Sequence, residues 1–393
     1  MLFEAGRIGS LTVPTRIVRT ATSETMASGA GEVTDELVSL YATLARSGVS
    51  LMFMGQMFCE PRGRFGFAQT GIHEDELLTG LRRLTDAVHR AGGAIFAQLA
   101  HAGNQSLIRD LPLVAPSRAP NAMTGLWAPA ATEVDVALVI DAFGRAAGRA
   151  VEAGFDGVHI HGANGYLISS FMSPLSNDRT DRWGGSPEAR SEFPLAVVRR
   201  VRGSVPDGYP VTIKLGVIDE MPGGLTLGES LPRAQALVSA GVDAIEVSSN
   251  LAMSYSFSAR PYAGVTRRQA AEDLLVHRLV ASRQPEAYFR PQASCLSRAV
   301  SVPVILTGGL RRRAVMESVL STGDAEFVGL GRPFIREPDL VNRLRSERAG
   351  PAACTSCNIC AMHDEYHSLR CWRYPRRNLA EHALFRLRGG FRG

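Results

Sequence analysis

Eight short apolar runs alternate with eight longer amphipathic stretches along this 393-residue chain, and few folds can absorb such a repeat. The apolar runs lie at 16–21, 50–55, 94–99, 157–161, 210–215, 244–248, 302–307 and 326–330. Helical periodicity occupies 34–46, 76–91, 134–153, 187–205, 231–240, 285–299, 311–322 and 339–346. Nearly continuous apolar strands separated by amphipathic helices predict a parallel sheet covered by helices, because both faces of each strand must be buried. An open doubly wound sheet would bring a glycine-rich dinucleotide turn, yet the nearest match, Gly329-Leu-Gly331-Arg-Pro-Phe334, lacks the third glycine. The α/β fold predicted is therefore a closed (β/α)₈ TIM barrel over residues 1–346, followed by a Cys-rich, Arg-rich extension over 347–393.

The composition, 45% hydrophobic and 21% charged, is that of a globular chain. No apolar stretch is long enough to cross a membrane, and the first ten residues lack the basic start and apolar run of a secretory signal. A cytoplasmic protein without a membrane partner is expected. The net charge of +5 comes from the C-terminus, where Arg370, Arg373, Arg376, Arg377, Arg386, Arg388 and Arg392 face a single acid, Glu381. We read this stretch as a solvated terminal segment, with no nucleic-acid partner.

A barrel builds its active site at the C-terminal ends of its strands. Those positions hold Thr22-Ser23-Glu24, Gly55-Gln56, Gln98 to His101, His161 to Tyr166, Lys214, Ser248 to Asn250, Gly308-Gly309 and Gly331-Arg332. Gly308 and Gly309 after strand seven, with Gly331 and Arg332 after strand eight, occupy the two loops where barrels bind phosphate. Glycines let backbone N–H groups approach an anion, and Arg332 adds a charged fork. Lys214, the only lysine of the chain, ends an apolar strand and needs an anionic partner: the pyrimidine ring of a reduced flavin, or a structural carboxylate inside the barrel. Gln98 can both donate to and accept from the edge of such a ring. His101 has two readings, a pocket residue beside Gln98 or a packed histidine in the lid base. His161-x-x-Asn164-x-Tyr166 is the sharpest pattern: His161 and Asn164 can polarise one carbonyl oxygen, and Tyr166 can protonate the adjacent carbon. Long insertions at 102–132, 162–186 and 250–284 are expected to form lids or substrate walls.

The chain resembles the Old Yellow Enzyme family of FMN-dependent ene-reductases, including the barrel of the 2,4-dienoyl-CoA reductase branch. The resemblance rests on Arg16-Ile-Val-Arg-Thr-Ala-Thr-Ser23, Gln98-Leu-Ala-His-Ala-Gly103, Gly157-Val-His-Ile-His161-Gly-Ala-Asn-Gly-Tyr-Leu-Ile168, the run 173–186, Thr307-Gly-Gly309 and Gly329-Leu-Gly-Arg-Pro333. It implies FMN, with Thr22, Ser23, Gln56 and Gln98 around the flavin ring, Lys214 facing its N1 and O2, and the two glycine loops on its phosphate. It also implies NAD(P)H as donor, His161 and Asn164 on the substrate carbonyl, and Tyr166 as proton donor to a small α,β-unsaturated substrate. A dehydrogenase or aromatising enzyme with an external electron acceptor is the alternative. A non-catalytic module binding metal and nucleic acid is the third reading, and the polar pocket argues against it.

Four of six cysteines, Cys354, Cys357, Cys360 and Cys371, fall within eighteen residues. Clustered cysteines without an export signal read as a metal site before they read as disulfides. The spacing is similar to the [4Fe–4S] segment of the dienoyl-CoA reductase branch, with a third gap one residue shorter. Zinc, with His363 and His367 as further ligands, and free thiols are the other two readings. A cluster would call for a separate electron-transfer partner.

Overall fold

The computed structural model describes residues 1–121, 124–219, 221–251, 285–346 and 348–390. Eight parallel strands close on themselves: β1 (Ile17–Arg19), β2 (Leu51–Phe53), β3 (Ala94–Ala100), β4 (Gly157–Gly162), β5 (Val211–Gly216), β6 (Ala244–Ser248), β7 (Val304–Thr307) and β8 (Phe327–Leu330). Each strand pairs with its predecessor, and β8 returns to β1 through Val328↔Ile17 and Gly329↔Val18. The predicted (β/α)₈ barrel is the observed fold, and all eight strands fall within the predicted runs or extend one residue past them.

The outer helices are α1 (Asp35–Arg46), α2 (Leu78–Arg90), α3 (Glu133–Glu152), α4 (Ala189–Arg202), α5 (Leu227–Ser239), α6 (Arg290–Ala299), α7 (Arg313–Ser321) and α8 (Leu340–Leu344). Side-chain caps start three of them. Thr34 accepts from the Leu37 N–H, and the Thr132/Asp135 and Thr226/Glu229 pairs form reciprocal capping boxes. The last of these begins α5 four residues before the periodic stretch expected at 231–240; Pro232, placed early in the helix, obscures the start.

Alternation along the strands sorts side chains into two layers. Outward residues such as Val158, Ile160, Ile213, Leu215, Ile245 and Val247 join the large core beneath the helices. A set of inward residues, Val18, Phe53, Phe96, Ala244, Ile305 and Phe327, forms a separate apolar plug with Ile8 and Val13. Ile8 and Val13 belong to an antiparallel hairpin, Gly6–Ile8 with Leu11–Val13, so the hairpin caps the closed end. Two residues further along the strands the inward positions turn polar: Thr20, Gln98, His159, Lys214, Glu246 and Thr307. This change of chemistry along one interior makes one mouth of the barrel a candidate site.

Of the predicted lids, 102–132 carries a short hairpin, Ala119–Pro120 with Trp127–Ala128, and 162–186 carries the helix Leu167–Met172. The insertion at 250–284 lies outside the described residues except for Asn250 and Leu251. Among the described residues no helix is long and apolar enough to cross a membrane.

Candidate functional site

The mouth opens into a cavity of about 360 Å³. Of the residues expected there, Thr22, Asn164, Tyr166, Lys214, Gly308, Gly309, Gly331 and Arg332 line it. Thr20 and Thr307, which the sequence placed in motifs without a role, and Phe65, Gln105, Tyr288, Arg311 and Ser356, which it did not single out, line it as well.

At one end lie the two glycine loops. Gly308 and Gly309 have φ of 133° and 70°, a backbone region that side chains rarely adopt. A Cβ on Gly308 would stand 2.7 Å from the Tyr288 ring, and one on Gly309 would stand 2.8 Å from the Pro285 carbonyl oxygen. Arg332 opens the short helix Arg332–Arg336 and donates to the side-chain oxygen of Asn358. Backbone N–H groups, a helix start and a guanidinium thus share one end of the cavity, the combination that favours an anion.

The opposite wall carries Phe65, Gln105, Asn164 and Tyr166 from the loops after β2, β3 and β4; Ser23, Gln56, Gln98 and His161, also expected at the site, do not line the cavity, and His161 packs behind Tyr166. The His161 ring meets the Tyr166 ring edge to face at 4.9 Å, and Phe65 packs on Tyr166 at 5.8 Å. Gln56 donates to the Tyr166 hydroxyl at 3.1 Å. Asn164 adopts φ 61°, its N–H bonded to the Ser249 carbonyl and its side-chain oxygen accepting from Ser248 at 3.2 Å. Burial, with the Lys214 ammonium next, holds the His161 imidazole well below its usual range, so it is neutral at pH 7. Burial, with the Asp364 carboxyl, raises Tyr166, so its hydroxyl keeps its proton. Three buried polar atoms in this region, Gln56 Oε1, Gln98 Nε2 and His161 Nδ1, have no hydrogen-bond partner among the described residues. Orphaned buried groups are costly unless a ligand satisfies them.

On the floor, Lys214 Nζ lies 3.0 Å from Glu246 Oε1. Of the two partners open to Lys214 from sequence, the structure supplies the carboxylate. Glu246 is fully buried and also accepts from Thr20, from Thr307 at 2.8 Å and from His159 at 3.0 Å. Burial alone would push its carboxyl up. The Lys214 ammonium, His159 and the Thr20 hydroxyl together hold it well below the usual range, so it is ionised.

His101 and Ser23 each find a partner within the chain. His101 is packed: its Nε2 contacts Glu60 Oε1 at 2.8 Å, its Nδ1 accepts from the Gly103 N–H, and the side chain is fully buried. Ser23 is half-buried, and its hydroxyl bonds the Asp364 carboxyl of the C-terminal extension. That extension is clamped on the barrel mouth. Thr25 donates to Asp364 at 2.7 Å, the Leu369 N–H to the Glu24 carbonyl at 2.8 Å, and Ser368 to Glu36 at 3.0 Å.

Cys354, Cys357, Cys360 and Cys371 line one small cavity with Arg332, Arg336 and Trp372, and no disulfide joins them. Burial raises the Cys354 thiol and pushes Cys360 up to about 12. Among the described residues no three His, Cys, Asp or Glu side chains stand close enough to hold a single metal ion. His363 bonds His367 and His382, each at 2.9 Å, rather than the cysteine cavity.

Residues 1–350 match the model of the NADH:flavin oxidoreductase / NADH oxidase family. A 4,4'-dithiodibutanoate disulfide reductase from Rhodococcus erythropolis is 37% identical over 387 residues, covering 94% of each chain. Among solved structures, a 2-naphthoyl-CoA reductase superposes with a TM-score of 0.84 at 22% identity over 96% of this chain. An old yellow enzyme homologue from Zymomonas mobilis superposes at 0.73 and 23% identity over 91% of this chain and 96% of its own. The chain spans 57% of the naphthoyl-CoA reductase and about half of some curated relatives. At these identities the two superpositions show the shared barrel, while the family match and the full-length relative decide membership: the chain belongs to the NADH:flavin oxidoreductase / NADH oxidase family.

Proposed function

We propose that this chain is an FMN-dependent ene-reductase that moves a hydride from NAD(P)H, by way of the flavin, to the activated C=C bond of an α,β-unsaturated carbonyl compound. The observation that carries the reading is one wall where neutral His161 with an unpartnered ring nitrogen, Asn164 and protonated Tyr166 meet. The residues fit the cofactor. The orphaned Gln56 and Gln98 side chains match the acceptors and donors on a flavin edge, and the glycine cradle with Arg332 suits its phosphate. FMN, when bound, supplies hydride acceptance and donation. The chain's part is to place the substrate oxygen against the His161 and Asn164 donors, drawing off charge that develops there. Tyr166 holds a proton at its hydroxyl for the α-carbon, and Gln56 fixes that hydroxyl.

The [4Fe–4S] reading for Cys354, Cys357, Cys360 and Cys371 is supported by their spacing and by the one small cavity they share. Cluster assembly would deprotonate thiols that burial otherwise keeps protonated. An electron-transfer partner follows from that reading.

A second reading, reductive cleavage of an organic disulfide, is favoured by the full-length relative named for that activity. Two electrons and two protons convert the S–S bond to two thiols, and Tyr166 can give one of the protons. Anaerobic stopped-flow kinetics separates the two readings. The NAD(P)H-reduced enzyme is mixed with 2-cyclohexen-1-one or with 4,4'-dithiodibutanoate; faster reoxidation by the enone supports the first, and reoxidation by the disulfide alone replaces it with the second.

A further inference from the structure

Glu246 lies below the cavity floor, where nothing in the proposed chemistry uses it, yet it gathers four donors. Thr20, Lys214 and Thr307 converge on Oε1, and His159 meets Oε2. The donors come from β4, β5, β7 and the end of β1, so the carboxylate ties together four elements of the barrel. Only one of these donors is a cation. Burial lowers His159, whose ring also stacks on Phe53 at 4.0 Å, so His159 is neutral. The net charge of the group is therefore zero: one carboxylate against one ammonium. Lys214 lines the cavity, is 8% exposed and also donates to Thr20 Oγ1 at 3.4 Å.

We propose that Glu246 is a positioning residue for the flavin site: it anchors the Lys214 ammonium at the floor and compensates its charge, so that bound flavin is held at a lower potential than an uncompensated lysine would set. The proposal rests on the flavin reading above and extends it to a residue one layer deeper. Reduction adds negative charge to a flavin, and a bare ammonium at the floor would favour the reduced form. A carboxylate 3.0 Å behind that ammonium cancels most of this preference in a water-poor interior. The arrangement keeps Lys214 as a donor to the ring while removing the net positive charge a lone lysine would bring.

The test compares wild type, Glu246→Gln and Glu246→Asp, each purified with FMN. Midpoint potential is read by anaerobic dye equilibration, and sulfite affinity by bleaching of the flavin band. The glutamine variant keeps the size and loses the charge, so its reduced form is expected to gain at least tenfold, about 30 mV for a two-electron couple. Sulfite, an anion that attacks the ring, is expected to bind at least tenfold more tightly. The aspartate variant keeps the charge but draws it back from Lys214, and at least threefold tighter sulfite binding is expected; this arm carries the test if the glutamine variant does not fold. Folded variants with bound FMN and with potential and sulfite affinity within twofold of wild type would overturn the role of Glu246 alone. A wild-type chain that takes up no FMN would overturn the flavin reading and this role with it.

Discussion

The Gln56 side-chain amide donates to the Tyr166 hydroxyl at 3.1 Å, which fixes a half-buried, protonated phenol beside the His161 ring. Gln56 ends the strand-two region and Tyr166 follows strand four, so the barrel closure itself brings the pair together. Replacing Tyr166 by Phe removes the proton and leaves the ring packing. Rapid-mixing kinetics should show flavin reduction by NAD(P)H within twofold of wild type and enone reduction slowed about 100-fold or more.

His161 acts as a neutral donor in this account, and its imidazole is held below its usual range by burial. His161→Ala should slow the enone half-reaction by about 100-fold, the scale of a lost oxyanion donor. The wild-type rate of that step should show no break near pH 6 to 7 attributable to His161, because its folded-state titration lies lower.

Gly308 at φ 133° leaves no room for a side chain against Tyr288. Gly308→Ala must rotate the backbone that presents N–H groups to the phosphate. Equilibrium dialysis should show FMN affinity at least tenfold weaker, with the circular dichroism of the barrel retained.

Glu365 stands among buried groups, and burial, with Asp364 next, pushes its carboxyl up to about 7. A carboxyl raised on folding contributes stability that is fully present below its unfolded value and is lost as pH rises through the folded value. Stability should therefore decline between about pH 4.5 and pH 7 by an amount on the order of 2–3 kcal/mol from this group. Glu365→Gln should flatten that slope and raise the melting temperature at pH 8, as followed by calorimetry across pH.

Much of this architecture was legible because strands in a closed parallel barrel are buried on both faces and stand out as apolar runs. The mouth was legible for a related reason: Lys214, Gln98 and the glycine pairs interrupt those runs where loops begin. Glu246 was hidden inside its run, Ala244-Ile-Glu-Val-Ser248, because period-two alternation says which face a residue takes but not which cation stands beside it on the neighbouring strand. Thr20 and Thr307 were hidden in the same way. Ser356 and Asp364 reach the mouth from an extension whose docking depends on tertiary contacts with Ser23, Thr25 and Arg332, and local sequence pattern carries no trace of those. His101 was ambiguous because its partner, Glu60, sits on a neighbouring loop forty-one residues away.

A flavin bound here would lie between the glycine cradle and Tyr166, above Lys214. The direct measurement is the visible spectrum and FMN content of the chain purified without oxygen, with iron and acid-labile sulfide assayed on the same sample. Close to one FMN per chain is expected, bleached on addition of NADH or NADPH. A colourless protein that binds no FMN on reconstitution would contradict it.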